Sequence, residues 1–175
     1  MAVSIRGPVL TAALASCLLG ACSPTFNWRE LRADGAPLVA LMPCKPETAT
    51  RPVPMLGEPT ELHMHSCEAG GLTFAVAWAK LDDATKAAEA LEQWQAASLA
   101  SIRVVPGAST GWVMALPGAT RVQGVKAQGS DHLGQPLQTQ AVYFAQGGWV
   151  YQAAVYGPKL PEQATTAFFD GLNLP

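Results

Sequence analysis

Apolar and polar positions alternate with the period of a β-strand in the middle of the chain. The segment Leu72–Lys80 carries bulky apolar residues at every second position and small residues between them, as expected of a strand. Neither face is polar, so we expect cover on both sides, with a closely packed element against the alanines. Residues 60–67 form a second strand, joined to the first by a hairpin at Gly70-Gly71, since glycine readily adopts the positive φ of a tight turn.

A helical period follows this hairpin. Asp82 or Asp83 can cap a helix that runs to about Ser101. Apolar and small residues recur on one stripe of this helix and are predicted to face the core: Ala84, Ala87, Ala88, Leu91, Trp94, Ser98, Leu99 and Ile102. Near the end of the chain, Pro161 opens a second, short helix that Gly171 can close.

The remaining elements are predicted to be strands. They are expected at residues 37–42, 111–116, 120–128, 138–146 and 149–156. Five prolines between residues 43 and 59 predict a segment that is mainly extended or turning. This order of elements predicts one α+β domain over residues 37–175, with a central antiparallel sheet flanked by helices.

The N-terminus has the composition of a secretory signal peptide. Arg6 is followed by the apolar run of residues 9–19, which is too short to span a bilayer as a helix. The run ends in Leu19-Gly20-Ala21-Cys22, which resembles the lipobox of bacterial lipoproteins. An ordinary secretory signal with a chance cysteine is the alternative, because such signals also end in small residues.

The lipobox resemblance implies a location and an anchor. Cleavage would remove residues 1–21 and leave Cys22 carrying acyl chains, which together give a stable membrane anchor. Ser23 stands where an aspartate signals retention in the inner membrane of Gram-negative bacteria. The resemblance therefore predicts an outer-membrane lipoprotein with its domain in the periplasm.

Lipidation also simplifies the cysteine count. Cys17 would leave with the signal and Cys22 would be acylated, so Cys44 and Cys67 would remain as a pair in an oxidising compartment. We expect a disulfide between them. The intervening residues 22–36 form the lipidated N-terminus and a linker, whose Phe26 and Trp28 favour packing on the domain or lying at the membrane interface.

Several features of the domain resemble the pattern of Mog1/PsbP-like α/β/α sandwiches and of small uncharacterised proteobacterial lipoproteins. They are the Pro43-Cys44-Lys45-Pro46 turn after a first strand, the long helix after a hairpin, the late Val150-Tyr151-Gln152 strand and the terminal segment 167–172. Sandwiches of this type generally serve as binding or assembly modules. Fold similarity alone transfers no binding residue to this chain.

The segment ELHMHSC, residues 61–67, is the strongest candidate for metal chemistry. His63, His65 and Cys67 project from one face of a strand, and imidazole and thiolate are ligands for zinc or copper. If Cys67 is bonded to Cys44, however, it has no thiolate, and His63 and His65 alone make an exposed two-ligand site. The prediction is therefore no metal site, with metal binding through these residues as the alternative function.

Catalytic patterns are weaker. Gly107-Ala108-Ser109-Thr110-Gly111 matches the G-x-S-x-G elbow of hydrolases, with Asp131 and His132 downstream, but the sequence predicts a strand where the elbow needs a helix. No P-loop, dinucleotide fingerprint or haem-attachment motif occurs. We expect no enzyme activity and no cofactor.

Charge gives a last indication about partners. The net charge is −2 for the full chain, and no run of Lys and Arg occurs, so nucleic acid is not expected to bind. Trp112, Trp149, Tyr151 and Tyr156 would form a binding patch if they were exposed together. The sequence thus predicts a non-catalytic envelope protein that touches the membrane through Cys22 and binds a protein or another envelope component.

Overall fold

The computed structural model describes residues 25–175. The predicted signal peptide, residues 1–21, and the predicted lipidation site Cys22 lie outside the described residues. Within the described residues, no helix has the length and apolar character needed to cross a membrane.

β-Strands are the main secondary structure of the described chain. The strands are β1 (Arg29–Arg32), β2 (Val39–Met42), β3 (Glu47–Met55), β4 (Glu58–Ala69), β5 (Leu72–Lys80), β6 (Ser109–Trp112), β7 (Arg121–Ser130), β8 (Pro136–Gln146) and β9 (Trp149–Gly157). β1 and β2 form a two-stranded ribbon, and the other seven form one antiparallel sheet in the order β3-β4-β5-β9-β8-β7-β6. The predicted central antiparallel sheet is confirmed, and it dominates the fold.

Two α-helices accompany the sheet within residues 25–175. A 3₁₀ turn, Ala84–Lys86, leads into α1 (Ala87–Ser101), and α2 (Glu162–Asp170) follows Pro161. The Asp83 carboxylate accepts a hydrogen bond of 2.9 Å from the Thr85 backbone N–H. This side chain satisfies a donor that would otherwise have no partner at the start of the helix, so the predicted cap is confirmed.

The two faces of β5 pack into different cores. Phe74, Val76 and Trp78 face the core that contains α2 and the β1–β2 ribbon. Ala77 and Ala79 face the other core, where Leu91 of α1 is fully buried. Small side chains let the helix approach the sheet closely, as the alternation in the sequence predicted.

Gly171 ends α2 for a different reason from the one expected. Its φ is −80°, which is not the left-handed conformation that favours glycine at helix ends. A Cβ at this position would lie 2.5 Å from Cβ of Leu41 on β2. The absence of a side chain therefore allows α2 to end in close contact with the ribbon.

The sequence prediction is incomplete in one detail and wrong in two others. The proline-rich segment, predicted to be mainly extended or turning, contains the extended strand β3, which tolerates Pro52 and Pro54 because it is an edge strand of the seven-stranded sheet. β6 spans Ser109–Trp112 and does not continue through residues 113–116. Ala84 is exposed, because the 3₁₀ turn before α1 changes the direction of the predicted apolar stripe.

The segment predicted as a linker is largely part of the domain. β1 lies within residues 22–36 and pairs with β2. Before it, the rings of Phe26 and Trp28 each make an edge contact with Phe74, with centroids 6.1 Å apart. Of the two predicted locations for these aromatic residues, the structure places them on the domain.

Candidate functional site

The disulfide joins the ribbon to the main sheet. Cys44 lies two residues after the end of β2. It is bonded to Cys67 on β4, with the two Cα atoms 6.0 Å apart. The predicted bridge is confirmed. The sulfur of Cys67 is therefore not available as the third metal ligand of the ELHMHSC segment.

His63 and His65 lie on the same face of β4, as the alternation predicted, and both stack on Trp78. The ring centroids are 5.6 Å apart for His63 and 4.9 Å apart for His65. His63 Nε2 lies 3.1 Å from Oε1 of Glu61, and the other ring nitrogen shares a hydrogen bond of 3.1 Å with the Thr50 hydroxyl. Within residues 25–175, no group of three or more His, Cys, Asp or Glu side chains is placed to hold a metal ion.

His65 is the buried member of this stack. It is 6% exposed, and its Nδ1 has no hydrogen-bond partner among the described residues. Burial disfavours the imidazolium and lowers the pKa of His65; Asp34 opposes this effect and His63 adds to it. Burial therefore favours the neutral form of His65 in the folded domain.

This burial predicts a loss of stability in mild acid. The unfolded chain binds a proton at the ordinary histidine pKa, whereas folded His65 binds it only at lower pH, so the free energy of unfolding falls as pH drops below about 6.5. We expect His65→Gln to reduce this dependence, measured by urea unfolding at pH 7.5 and 5.5. His132→Gln, at an exposed turn position, is the control. Equal pH dependence in the wild type and His65→Gln would contradict the prediction.

Two buried polar groups that have no hydrogen-bond partner among the described residues lie near His65, on the same side of the sheet. Trp78 and Tyr151 are directly paired across β5 and β9. The Trp78 Nε1 and the Tyr151 hydroxyl are buried and have no hydrogen-bond partner within residues 25–175. Burial also raises the pKa of Tyr151. These side chains are core residues and not part of an exposed patch.

The other predicted aromatic residues are also used in packing. The Trp112 indole donates a hydrogen bond of 3.0 Å to the Ala141 carbonyl, and its ring packs on Phe169 with centroids 5.0 Å apart. Trp149 is half-buried below the Lys80 ammonium. With Tyr151 fully buried and Tyr156 half-buried, the four aromatics do not form one exposed surface.

Polar groups beneath α1 satisfy one another. The Gln152 amide donates hydrogen bonds of 2.9 Å to the Tyr143 hydroxyl and 3.1 Å to the Ser98 hydroxyl. Burial raises the pKa of Tyr143. This network fixes α1 on the sheet and leaves these groups engaged in structural bonds.

The G-x-S-x-G segment does not form a nucleophile elbow. Ser109 is the first residue of the edge strand β6, with no helix after it. The Asp131 carboxylate accepts hydrogen bonds of 2.8 Å from the backbone N–H groups of Leu133 and Gln135. Asp131 thus shapes the β7–β8 turn, which is a common role for aspartate in turns.

An open cavity lies beside this segment. Its volume is about 560 Å³, and it occupies the face of β6, β7 and β8 opposite α1. The side chains that give it its chemistry come from three neighbouring strands and the loop before α2: Thr110, Lys126, Gln128, Gln138, Gln140 and Leu160. We call this cavity the polar cleft.

Strand register explains why these residues meet. Lys126 of β7 is opposite both Thr110 of β6 and Gln140 of β8, and Gln128 is opposite Gln138. Side chains of directly paired residues lie on the same face of the sheet. The Leu160 backbone N–H donates a hydrogen bond of 3.3 Å to Oε1 of Gln138, so the loop before α2 forms one wall of the cleft.

The polar cleft offers hydrogen bonds and one positive charge. The amide side chains both donate and accept, the Thr110 hydroxyl does the same, and the Lys126 ammonium donates. This combination fits a polar or anionic ligand. Sequence reasoning missed the cleft, although the pairs Lys126-x-Gln128 and Gln138-x-Gln140 place four polar side chains on strand faces that also carry Val122 and Val142.

Comparison with known proteins adds no functional assignment. Neither a protein-family model nor a curated protein sequence matches this chain.

Proposed function

We propose that this chain is a non-catalytic, lipid-anchored envelope protein whose periplasmic domain binds an envelope component through the polar cleft. The observation that carries the proposal is the lining of the cleft, where a lysine, three glutamines and a threonine converge on one open volume. Such groups recognise a ligand through hydrogen bonds and charge. The partner is a protein or another polar or anionic component of the envelope.

The compartment is supported by cysteine chemistry. A disulfide such as Cys44–Cys67 persists in oxidising compartments, including the bacterial periplasm. The Leu19-Gly20-Ala21-Cys22 sequence supplies the lipid-carrying cysteine, and Ser23 favours the outer membrane of a Gram-negative bacterium. The proposed domain therefore works at the periplasmic side of a membrane.

The domain is further proposed to be a variant of the Mog1/PsbP-like α/β/α sandwich. Its support is the location of α1 against one face of the sheet and of α2 in the core of the other face. The β1–β2 ribbon shares that second face with α2. Proteins of such a sandwich type commonly act as binding modules, which agrees with the proposed role.

Fractionation of a Gram-negative host that expresses the full chain tests the anchor. We expect the wild type in the outer-membrane fraction, with the mass of an acylated Cys22 N-terminus. Cys22→Ala should lose the acyl groups and leave that fraction, and Ser23→Asp should move the lipidated protein to the inner membrane. A wild type cleaved at another position, or found free in the periplasm, would refute the anchoring proposal.

Site-specific photo-crosslinking tests the cleft. A photoreactive residue replacing Gln128 should yield a discrete adduct in intact cells, and the additional change Lys126→Glu should abolish it. The matched control is the same residue at Glu89, which is exposed on α1. Adducts of equal yield and mass from both positions, or none from Gln128, would argue against a ligand in the cleft.

A further inference from the structure

One end of the seven-stranded sheet, where several strands begin or end, lies next to the start of the described chain. The register brings together the β4–β5 turn, the end of β9, the start of β8 and the end of β7, because Ala69 pairs with Leu72, Gly157 with Gln138 and Ser130 with Pro136. We call this row of strand ends and turns the proximal edge. A Cβ on Gly70 in the β4–β5 turn would lie 3.0 Å from the ring of Phe26, so Phe26 is at this edge.

The reach of the chain limits the distance between this edge and a lipid anchor. Cys22 precedes Phe26 by four residues, and a polypeptide extends by at most about 3.6 Å per residue. Whatever conformation these residues adopt, Cys22 is therefore within about 14 Å of the place where Phe26 packs on the domain. If Cys22 carries lipid, the proximal edge must lie close to the bilayer surface.

Exposed aliphatic side chains occur at the same edge. Leu133, in the β7–β8 turn, is 71% exposed, and Val105, in the loop that follows α1, is 63% exposed. The turn and the loop are held together, because Ser130 N–H donates to the Ile102 carbonyl and the Arg103 guanidinium donates to the Asp131 carbonyl. Both aliphatic residues therefore belong to one anchored part of the proximal edge.

Two cationic residues belong to the proximal edge. Arg103 lies on the same loop as Val105, and Lys159 follows the end of β9. Glu68, near the end of β4, is an exposed acidic residue at this edge. Cationic side chains beside aliphatic ones favour contact with anionic headgroups, and the aliphatic side chains can enter the interfacial region. The Asp131 carboxylate points back into its own turn, where it accepts two backbone hydrogen bonds.

We infer that the proximal edge is a membrane-contacting surface, with Leu133 and Val105 inserted at the lipid interface of the membrane that holds Cys22. This inference rests on the proposed lipidation, and it adds a fixed orientation of the domain. In this orientation, the strand ends of the proximal edge face the membrane. The polar cleft, whose Gln128 and Gln138 are near the same edge, lies beside the headgroups.

Quenching of a site-specific dye by membrane-embedded nitroxide lipids tests this orientation. Full-length protein, lipidated in cells, is reconstituted into phosphatidylethanolamine and phosphatidylglycerol vesicles that contain the nitroxide lipid. The dye is attached through Leu133→Cys, with Val105→Cys as a second reporter. Because Cys44 and Cys67 form the disulfide and Cys22 carries lipid, a maleimide dye reacts with the introduced thiol.

Val113→Cys is the matched control. Val113 is 95% exposed and follows β6 at the end away from the proximal edge. We expect quenching several-fold stronger at residues 133 and 105 than at residue 113. Equal quenching at the three positions in protein that floats with the vesicles would overturn the inference. Protein that lacks acyl groups and does not float would instead refute the proposed lipidation. The experiment therefore distinguishes a wrong orientation from a wrong lipidation proposal.

Discussion

Removing the Cys44–Cys67 disulfide is expected to lower the free energy of unfolding by about 3 to 4 kcal/mol, as estimated from the chain entropy of a loop of this size. The bond closes a loop with a sequence separation of 23 residues. The double variant Cys44→Ala/Cys67→Ala avoids placing a hydroxyl at position 67, which is only 7% exposed. The measurement is urea unfolding of the domain exported without its lipid anchor.

The bond also limits the freedom of the ribbon. Outside the disulfide, backbone hydrogen bonds tie the ribbon to the C-terminal segment through Val39 and Asn173, with lengths of 2.8 and 2.9 Å. Reduced wild-type protein should match the double variant, and the oxidised wild type should be more stable than both. Identical unfolding midpoints before and after reduction would contradict the predicted stabilisation by the disulfide.

The fold was most predictable where one local pattern has one structural solution. The β5 strand is an example: its alternation of large and small residues predicted two covered faces, and the structure places Ala77 and Ala79 in the same core as α1. The hairpin at Gly70-Gly71 was similarly predictable, because both residues have positive φ, at 60° and 74°. In these cases the residue types leave few alternative conformations.

Prediction failed where the outcome depends on position in the sheet. Pro52 and Pro54 argue against a strand unless it is an edge strand. Whether a strand lies at the edge of the sheet depends on the strand order, which the sequence of one segment does not show. The polar cleft is the same kind of case. Lys126, Gln128, Gln138 and Gln140 belong to strands that were predicted, but their convergence depends on the register between β7 and β8, which single-strand patterns do not contain.

The metal hypothesis illustrates a third situation. The sequence correctly placed His63, His65 and Cys67 on one face of a strand, but it could not place Trp78 beneath the two histidines. In the structure, both imidazoles stack on Trp78, and His63 also shares a hydrogen bond with Thr50. Residue spacing alone does not distinguish a ligand pair from a packed pair.

Phe74→Ala is the second change with a large expected effect, a loss of about 3 to 5 kcal/mol in the free energy of unfolding. Phe74 is fully buried. Its ring makes edge contacts with Phe26, Trp28 and Phe168. Truncation therefore leaves a cavity where the sheet, α2 and the segment leading from Cys22 meet, and it removes aromatic contacts from all three.

Proteolysis can separate loss of overall stability from release of this N-terminal segment. Trypsin cleaves after Arg29 and Arg32 in β1, and we expect Phe74→Ala to accelerate these cleavages. Phe168→Ala is the matched control, because it creates a similar cavity in α2 without removing the ring that Phe26 and Trp28 contact. If both variants lose similar stability but only Phe74→Ala exposes β1, then Phe74 is the residue that holds the domain close to its proposed anchor. Equal cleavage in the two variants would mean that the segment is held by the core as a whole, and Phe74 would have no special role in it.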